Sequence, residues 1–96
     1  MLVKVLIKRR FKRGKEAEVA ALITKFRAGA VNQPGYICGE TLSDIEDPQV
    51  KLVIATWKDF PSWQAWKDSP TRREFEAMLD IFQDSPTEYA AYVLDG

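Results

Sequence analysis

Apolar residues recur along the chain with two different periods, and the changes of period mark out its elements. Leu2 to Arg10 reads as a strand: Val3, Val5 and Ile7 fall on one face, and Leu2 and Leu6 put apolar groups on the other. A strand apolar on both faces belongs in the middle of a covered sheet. Lys12-Arg13-Gly14-Lys15 predicts a turn, after which Val19, Leu22, Ile23, Phe26 and Ala30 repeat at helical spacing. Glu16 and Glu18 in the first turn suit the helix dipole, and Asn32-Gln33-Pro34-Gly35 ends the helix.

Tyr36 to Ile45 predicts a second strand, less apolar and therefore near a sheet edge. Glu46-Asp47-Pro48 turns the chain into Val50 to Trp57, a third strand apolar on both faces, so the two form an antiparallel hairpin. Asp59 can cap a short helix carrying Trp63 and Trp66. Ser69-Pro70, a capping hydroxyl before a proline, opens another that buries Phe75, Met78, Leu79 and Phe82. Ser85-Pro86 breaks it, and Glu88 to Leu94 is the last strand.

This order predicts an α+β fold of the ferredoxin-like βαββαβ type, its second helix split in two, on a four-stranded antiparallel sheet. The apolar first and third strands take the centre. The helices can cover only one sheet face, and a second copy of the chain is the economical cover for the other, giving a homodimer. The 96 residues suffice for one domain, residues 1–96, with no internal repeat or linker.

Composition narrows the chemistry. The chain has no histidine, which removes the commonest general base, a His-assisted nucleophile, a His haem ligand and most zinc or non-haem iron sites. Its one cysteine, Cys38, permits no internal disulfide and no cysteine-based metal cluster, and a reducing cytoplasm fits best. No apolar run approaches the roughly 18–20 residues that span a bilayer, and Met1 to Arg13 has the pattern of mature structure rather than of a signal peptide. We therefore expect no membrane association, no metal and no cofactor.

Positive and negative charges balance but are unevenly spread: Lys8 to Lys15 is dense in Lys and Arg, while acidic residues dominate the remainder. The basic run reads as a solvated strand end and turn, with phosphate gripping as the alternative. The acidic remainder argues against nucleic acid.

Trp57, Trp63 and Trp66 lie close together in sequence, and Tyr36, Tyr89 and Tyr92 fall on strands. Such residues can wall a cleft for a flat, conjugated ligand or simply fill the core. Trp63 and Trp66 favour the cleft, because a short helix has little room to bury both. Arg72 and Glu76 share a helix face at i, i+4. They read either as an ordinary exposed ion pair or as an anion contact (Arg72) and a proton carrier (Glu76). Cys38, with no histidine to activate it, reads as a small packed side chain.

The stretch Thr56-Trp57-Lys58-Asp59-Phe60-Pro61-Ser62-Trp63-Gln64-Ala65-Trp66-Lys67-Asp68-Ser69 resembles the antibiotic biosynthesis monooxygenase (ABM) family, and Pro34-Gly35-Tyr36 resembles that family's entry to its second strand. The resemblance extends to nearly the whole chain in element order. It implies a dimeric α+β barrel with a ligand cleft between each subunit's sheet and helices. Family members include cofactor-independent oxygenases of phenols and quinols, and haem-degrading oxygenases. The haem degraders carry an Asn on the first strand, a Trp on the short helix and a His beyond it. Here only the Trp is matched, by Trp66; Glu76 stands at the histidine position and Leu2 to Arg10 contains no Asn. The resemblance therefore disfavours haem degradation. It implies a cofactor-independent monooxygenase of a small aromatic molecule, with Trp66, Tyr36 and Arg72 as its candidate site residues; by residue type and spacing, Trp63 joins the substrate-binding wall, with Arg72 as the anion contact and Glu76 as the base. The alternative is a non-catalytic dimeric aromatic-ligand-binding or stress-response domain.

Overall fold

Alternation along the first strand settles which face of the sheet is covered. In the computed structural model, which describes residues 1–96, Val3, Val5, Ile7 and Arg9 are buried on one side of β1 (Val3–Arg10), and the residues between them are more exposed. The remaining elements are α1 (Glu16–Val31), β2 (Tyr36–Ser43), β3 (Val50–Trp57), α2 (Phe60–Lys67), α3 (Pro70–Asp80) and β4 (Glu88–Val93). The four strands form one antiparallel sheet in the order β2-β3-β1-β4. The two strands apolar on both faces hold the centre and the more polar β2 lies at an edge, as the pattern predicts.

The buried side chains of β1 meet Ala55 and Trp57 of β3 across the sheet, and Ala30, Trp63 and Trp66 close over them from the helices. A second apolar group joins Phe11, Val19 and Leu79, tying the end of β1 to α1 and α3. The opposite sheet face is uncovered within the chain. Leu6 and Ile54 pair at its middle, and Lys4 donates to the Thr56 hydroxyl at 2.7 Å beside them.

Several details depart from the sequence expectations. β2 stops at Ser43, because the Asp44 carboxylate accepts from the Glu46 and Asp47 amides and starts the turn; Ile45, expected in the strand, is 98% exposed. Met78 is 44% exposed, lying off the stripe formed by Phe75 and Leu79, and Phe82 packs from the turn after α3 rather than from the helix. Cys38 is exposed, at an outward position of edge strand β2, so it is not a packed side chain within the subunit.

The basic run is only partly solvated. Arg9 and Phe11 point inward, and Arg10 bridges Asp47 at 3.0 Å and Asp84. A glycine is required just before β2: Gly35 has φ +85°, and a side chain there would collide with Ser62.

Candidate functional site

Local capping sets the position of each side chain in the space under α1. The Asp59 carboxylate accepts from the Ser62 amide at 2.9 Å and starts α2, so that Trp63 and Trp66, one turn apart, both face the sheet. The Ser69 hydroxyl accepts from the Arg72 amide at 3.2 Å, with Pro70 at the first helical position. This starts α3 so that Arg72 lies in its first turn and Glu76 one turn on. Trp66 fits beneath α1 because residue 29 is a glycine: a Cβ there would stand 3.1 Å from the tip of the indole.

Between sheet and helices these residues leave a cleft of about 560 Å³ of atom-free space, part of it open to solvent. The cavity within it is small, about 60 Å³, so the space is tight. Its lining includes Tyr36, Trp57, Trp63, Trp66, Arg9 and Arg72. Tyr36 meets Trp57 edge-on at 5.4 Å, Trp57 lies 5.9 Å from Trp63, and Phe26 meets Trp66 edge-on at 6.2 Å. Aromatic walls around a slot suit a flat ligand.

Arg72 is the principal polar group. It is 2% exposed, and its guanidinium carbon stands 5.0 Å from the Phe26 ring centre, 5.1 Å from Trp63 and 5.4 Å from Tyr89. Nη1 donates to the Tyr89 hydroxyl at 3.1 Å. Nη2 lies 3.6 Å from Glu76, beyond hydrogen-bond range, so Nε and Nη2 are buried donors without an acceptor. Trp57 Nε1 is a third such donor.

Glu76 is engaged elsewhere. Arg9 donates to it from Nη2 at 2.8 Å and, more weakly, from Nε at 3.4 Å, and the Thr87 hydroxyl donates at 2.7 Å. Burial pushes the Glu76 carboxyl up, but the Arg9 hydrogen bond and charge, the Thr87 hydroxyl and the Arg72 charge together outweigh it and hold the group below the usual glutamate range. That direction is the wrong one for a general base near neutral pH.

Trp63, Trp66, Tyr36 and Arg72 therefore all line one cleft, whereas Glu76 lies outside its lining, in the hollow on the solvent side of Arg72. The exposed Arg72–Glu76 pair is replaced by a buried arginine and a carboxylate bound chiefly to Arg9. Trp63 and Trp66 are both buried despite the shortness of α2, because Trp63 packs against Trp57 and Tyr89 of the sheet and Trp66 against Phe26 and Gly29 of α1. Tyr92 points to the opposite sheet face, away from the cleft, since it pairs with the outward Lys4. Arg9 escaped the sequence reading, although Val3-Val5-Ile7-Arg9 continues the inward alternation to a charged residue.

A four-stranded antiparallel sheet in the order β2-β3-β1-β4, with its helices on one face, defines an α+β fold of the ferredoxin-like type. Residues 2–78 match the family model described as antibiotic biosynthesis monooxygenase, and the chain belongs to that family. No curated protein matches the sequence. Among solved structures, a conserved protein from Methanosarcina mazei Go1 is similar at TM-score 0.89 and 23% identity, over 96% of this chain and 91% of that one. SnoaB, a cofactor-independent oxygenase from Streptomyces nogalater, is similar at TM-score 0.87 and 17% identity, over 99% and 94%. Rv0793 from Mycobacterium tuberculosis is similar at TM-score 0.87 and 11% identity, over 100% and 98%. At these identities the structural likeness concerns the fold.

Proposed function

We propose that the protein is a cofactor-independent monooxygenase of a small phenol- or quinol-like molecule bound in the cleft. The observation that carries this reading is Arg72: a buried guanidinium with two donor nitrogens lacking an acceptor, set among aromatic faces. A planar phenolate there gains stacking and a charge-assisted hydrogen bond. Such an anion can itself give an electron to dioxygen, after which the radical pair combines at a ring carbon. Loss of water then leaves a quinone, so that one phenol and one dioxygen yield one quinone and one water. The protein's part is to desolvate, orient and stabilise the anion. Tyr36, Trp63 and Trp66 form the walls and Arg72 holds the oxyanion. Glu76 acts as a positioning residue for the two arginines instead of as a base, because its carboxylate is already taken up. Oxygen consumption with a panel of phenols and quinols tests this, with labelled dioxygen expected to deliver one atom to the product.

The engaged Glu76, together with the lack of any histidine, also favours a second reading, a binding domain without turnover. Compounds that raise the melting temperature without consuming oxygen would establish it. We propose for either reading a homodimer in a reducing cytoplasm. The open sheet face, with Leu2, Leu6, Leu42, Leu52, Ile54 and Tyr92, is covered by a second copy across an interface of roughly 2,000 Å² or more. The lone exposed thiol of Cys38 suits that compartment.

A further inference from the structure

We infer that the Arg9–Glu76–Arg72 triad makes the cleft selective for ligands carrying a single negative charge, and that Arg9 sets this preference. The inference rests on the cleft being a site for an aromatic ligand, and concerns binding rather than turnover.

Arg9 and Arg72 are 4% and 2% exposed, both line the cleft, and their guanidinium carbons stand 5.3 and 5.0 Å from the same Phe26 ring. Between them stands one carboxylate, Glu76, 2.8 Å from Arg9 and 3.6 Å from Arg72. Two buried cations with one anion leave one positive charge uncompensated, an arrangement that is costly away from water.

No other group removes that charge. Tyr89 on β4 offers Arg72 a neutral hydroxyl, and Lys67 on α2, over the Tyr89 ring, is itself cationic. Arg27 on α1, at the cleft, donates to the Gly39 carbonyl, and Tyr36 on β2 is neutral. Glu40 borders the cleft through β2, but it is exposed, pairs with the outward Ile54 and forms no ion pair with either arginine. Asp68, Arg73 and Asp80 border Arg72 on its solvent side, where neither acid forms an ion pair with it.

A monoanion in the cleft brings the buried charge to zero. A neutral ligand leaves it unmet, and a dianion overshoots it. Arg9, bonded to the carboxylate, decides how much of the Arg72 charge remains for the ligand. Without Arg9, Glu76 neutralises Arg72 and the preference disappears. Without both Arg9 and Glu76, Arg72 again stands alone and the preference returns.

The test uses three ligands of one ring system, with tryptophan quenching and calorimetry as readouts: neutral naphthoquinone, hydroxynaphthoquinone as its monoanion, and naphthalene dicarboxylate as a dianion. The wild-type protein is expected to bind the monoanion at least roughly tenfold more tightly than the neutral compound, and the dianion no more tightly than the monoanion. Arg9→Gln is expected to bring the ratio to within about threefold of unity, and Arg9→Gln with Glu76→Gln to restore it, a reversal that loss of packing cannot produce. The wild-type comparison stands alone if Arg9→Gln does not fold. Equal binding of the neutral and monoanionic compounds, tighter binding of the dianion, or an undiminished ratio in folded Arg9→Gln would overturn the inference while leaving the aromatic cleft intact. Binding of none of the three removes both. Oxygen uptake bears only on the oxygenase reading.

Discussion

Trp66 and Gly29 should be energetically coupled, and the coupling measures how firmly the cleft wall is held. Trp66 is 2% exposed, and a methyl group at position 29 would stand 3.1 Å from its ring tip, closer than carbon atoms ordinarily pack. Gly29→Ala gains up to about 1 kcal/mol of helix propensity in α1, but in the wild type the gain must be set against displacement of the indole. Trp66→Ala costs about 3–5 kcal/mol, too much for a domain whose whole stability is about 5–15 kcal/mol. Trp66→Phe is therefore the better perturbation: it removes the ring atoms facing Gly29 and costs about 1–2 kcal/mol of apolar contact at about 25 cal/mol per Å². Urea unfolding followed by circular dichroism on the four proteins of the cycle gives the coupling. We expect Gly29→Ala to be neutral or destabilising alone, and stabilising by about 1 kcal/mol in the Trp66→Phe background. Additivity to within about 0.3–0.5 kcal/mol would mean that the indole does not rest on Gly29, and the positioning of this wall would have to be abandoned.

Light scattering of the wild type should give roughly 22 kDa, twice the 11.0 kDa chain. Leu6→Glu, at the middle of the open sheet face, should give a folded monomer; a monomeric wild type at micromolar concentration counts against the barrel. The Glu76 carboxyl lies below its ordinary value of 4.5, so its ion pairs contribute full stability above that value and lose it as pH falls through the lowered one. Glu76→Gln should flatten this acid limb of the melting-temperature profile, and an unchanged profile would show that the Arg9 pair is not maintained in solution. Haem titration should yield no stoichiometric Soret shift and no ring opening with a reductant, because the chain has no histidine and Glu76 is held by Arg9. A defined haem complex would refute this.

The fold was legible because each segment follows one period and is stopped by its own signal. Val3, Val5 and Ile7 need only the two-residue alternation, and Asp59 and Ser69-Pro70 need only local hydrogen bonding. The cleft walls were legible as residue types, since three tryptophans beside a strand end must pack somewhere. Their arrangement was not. Whether Glu76 pairs with Arg72, four residues before it, or with Arg9, far away in sequence, depends on β1 passing beneath α3, and no local pattern reports this. Tyr92 and Cys38 were misjudged for a related reason. A strand residue's face depends on the register of the whole sheet, and a bulge between Tyr36 and Cys38 shifts that of β2.

Arg9 shows why the exceptions to patterning carry the functional information. At the end of an inward row of Val3, Val5 and Ile7, an apolar residue would extend the core without cost, and the fold makes no demand for a cation there. The ion pair with Glu76 is not by itself a stability argument for Arg9, because an apolar pair in place of two buried ions is often neutral or stabilising. Arg72 is only partly used as a structural partner: Nη1 bonds the Tyr89 hydroxyl, but Nε and Nη2 have no acceptor within hydrogen-bond range. Both arginines are buried, and both line the same slot. Local rules broken without a structural return are expected where a site is prepared for something absent from the chain itself. What this slot lacks is an acceptor with negative charge, and the expected ligand is defined by that deficit more closely than by the shape of the walls.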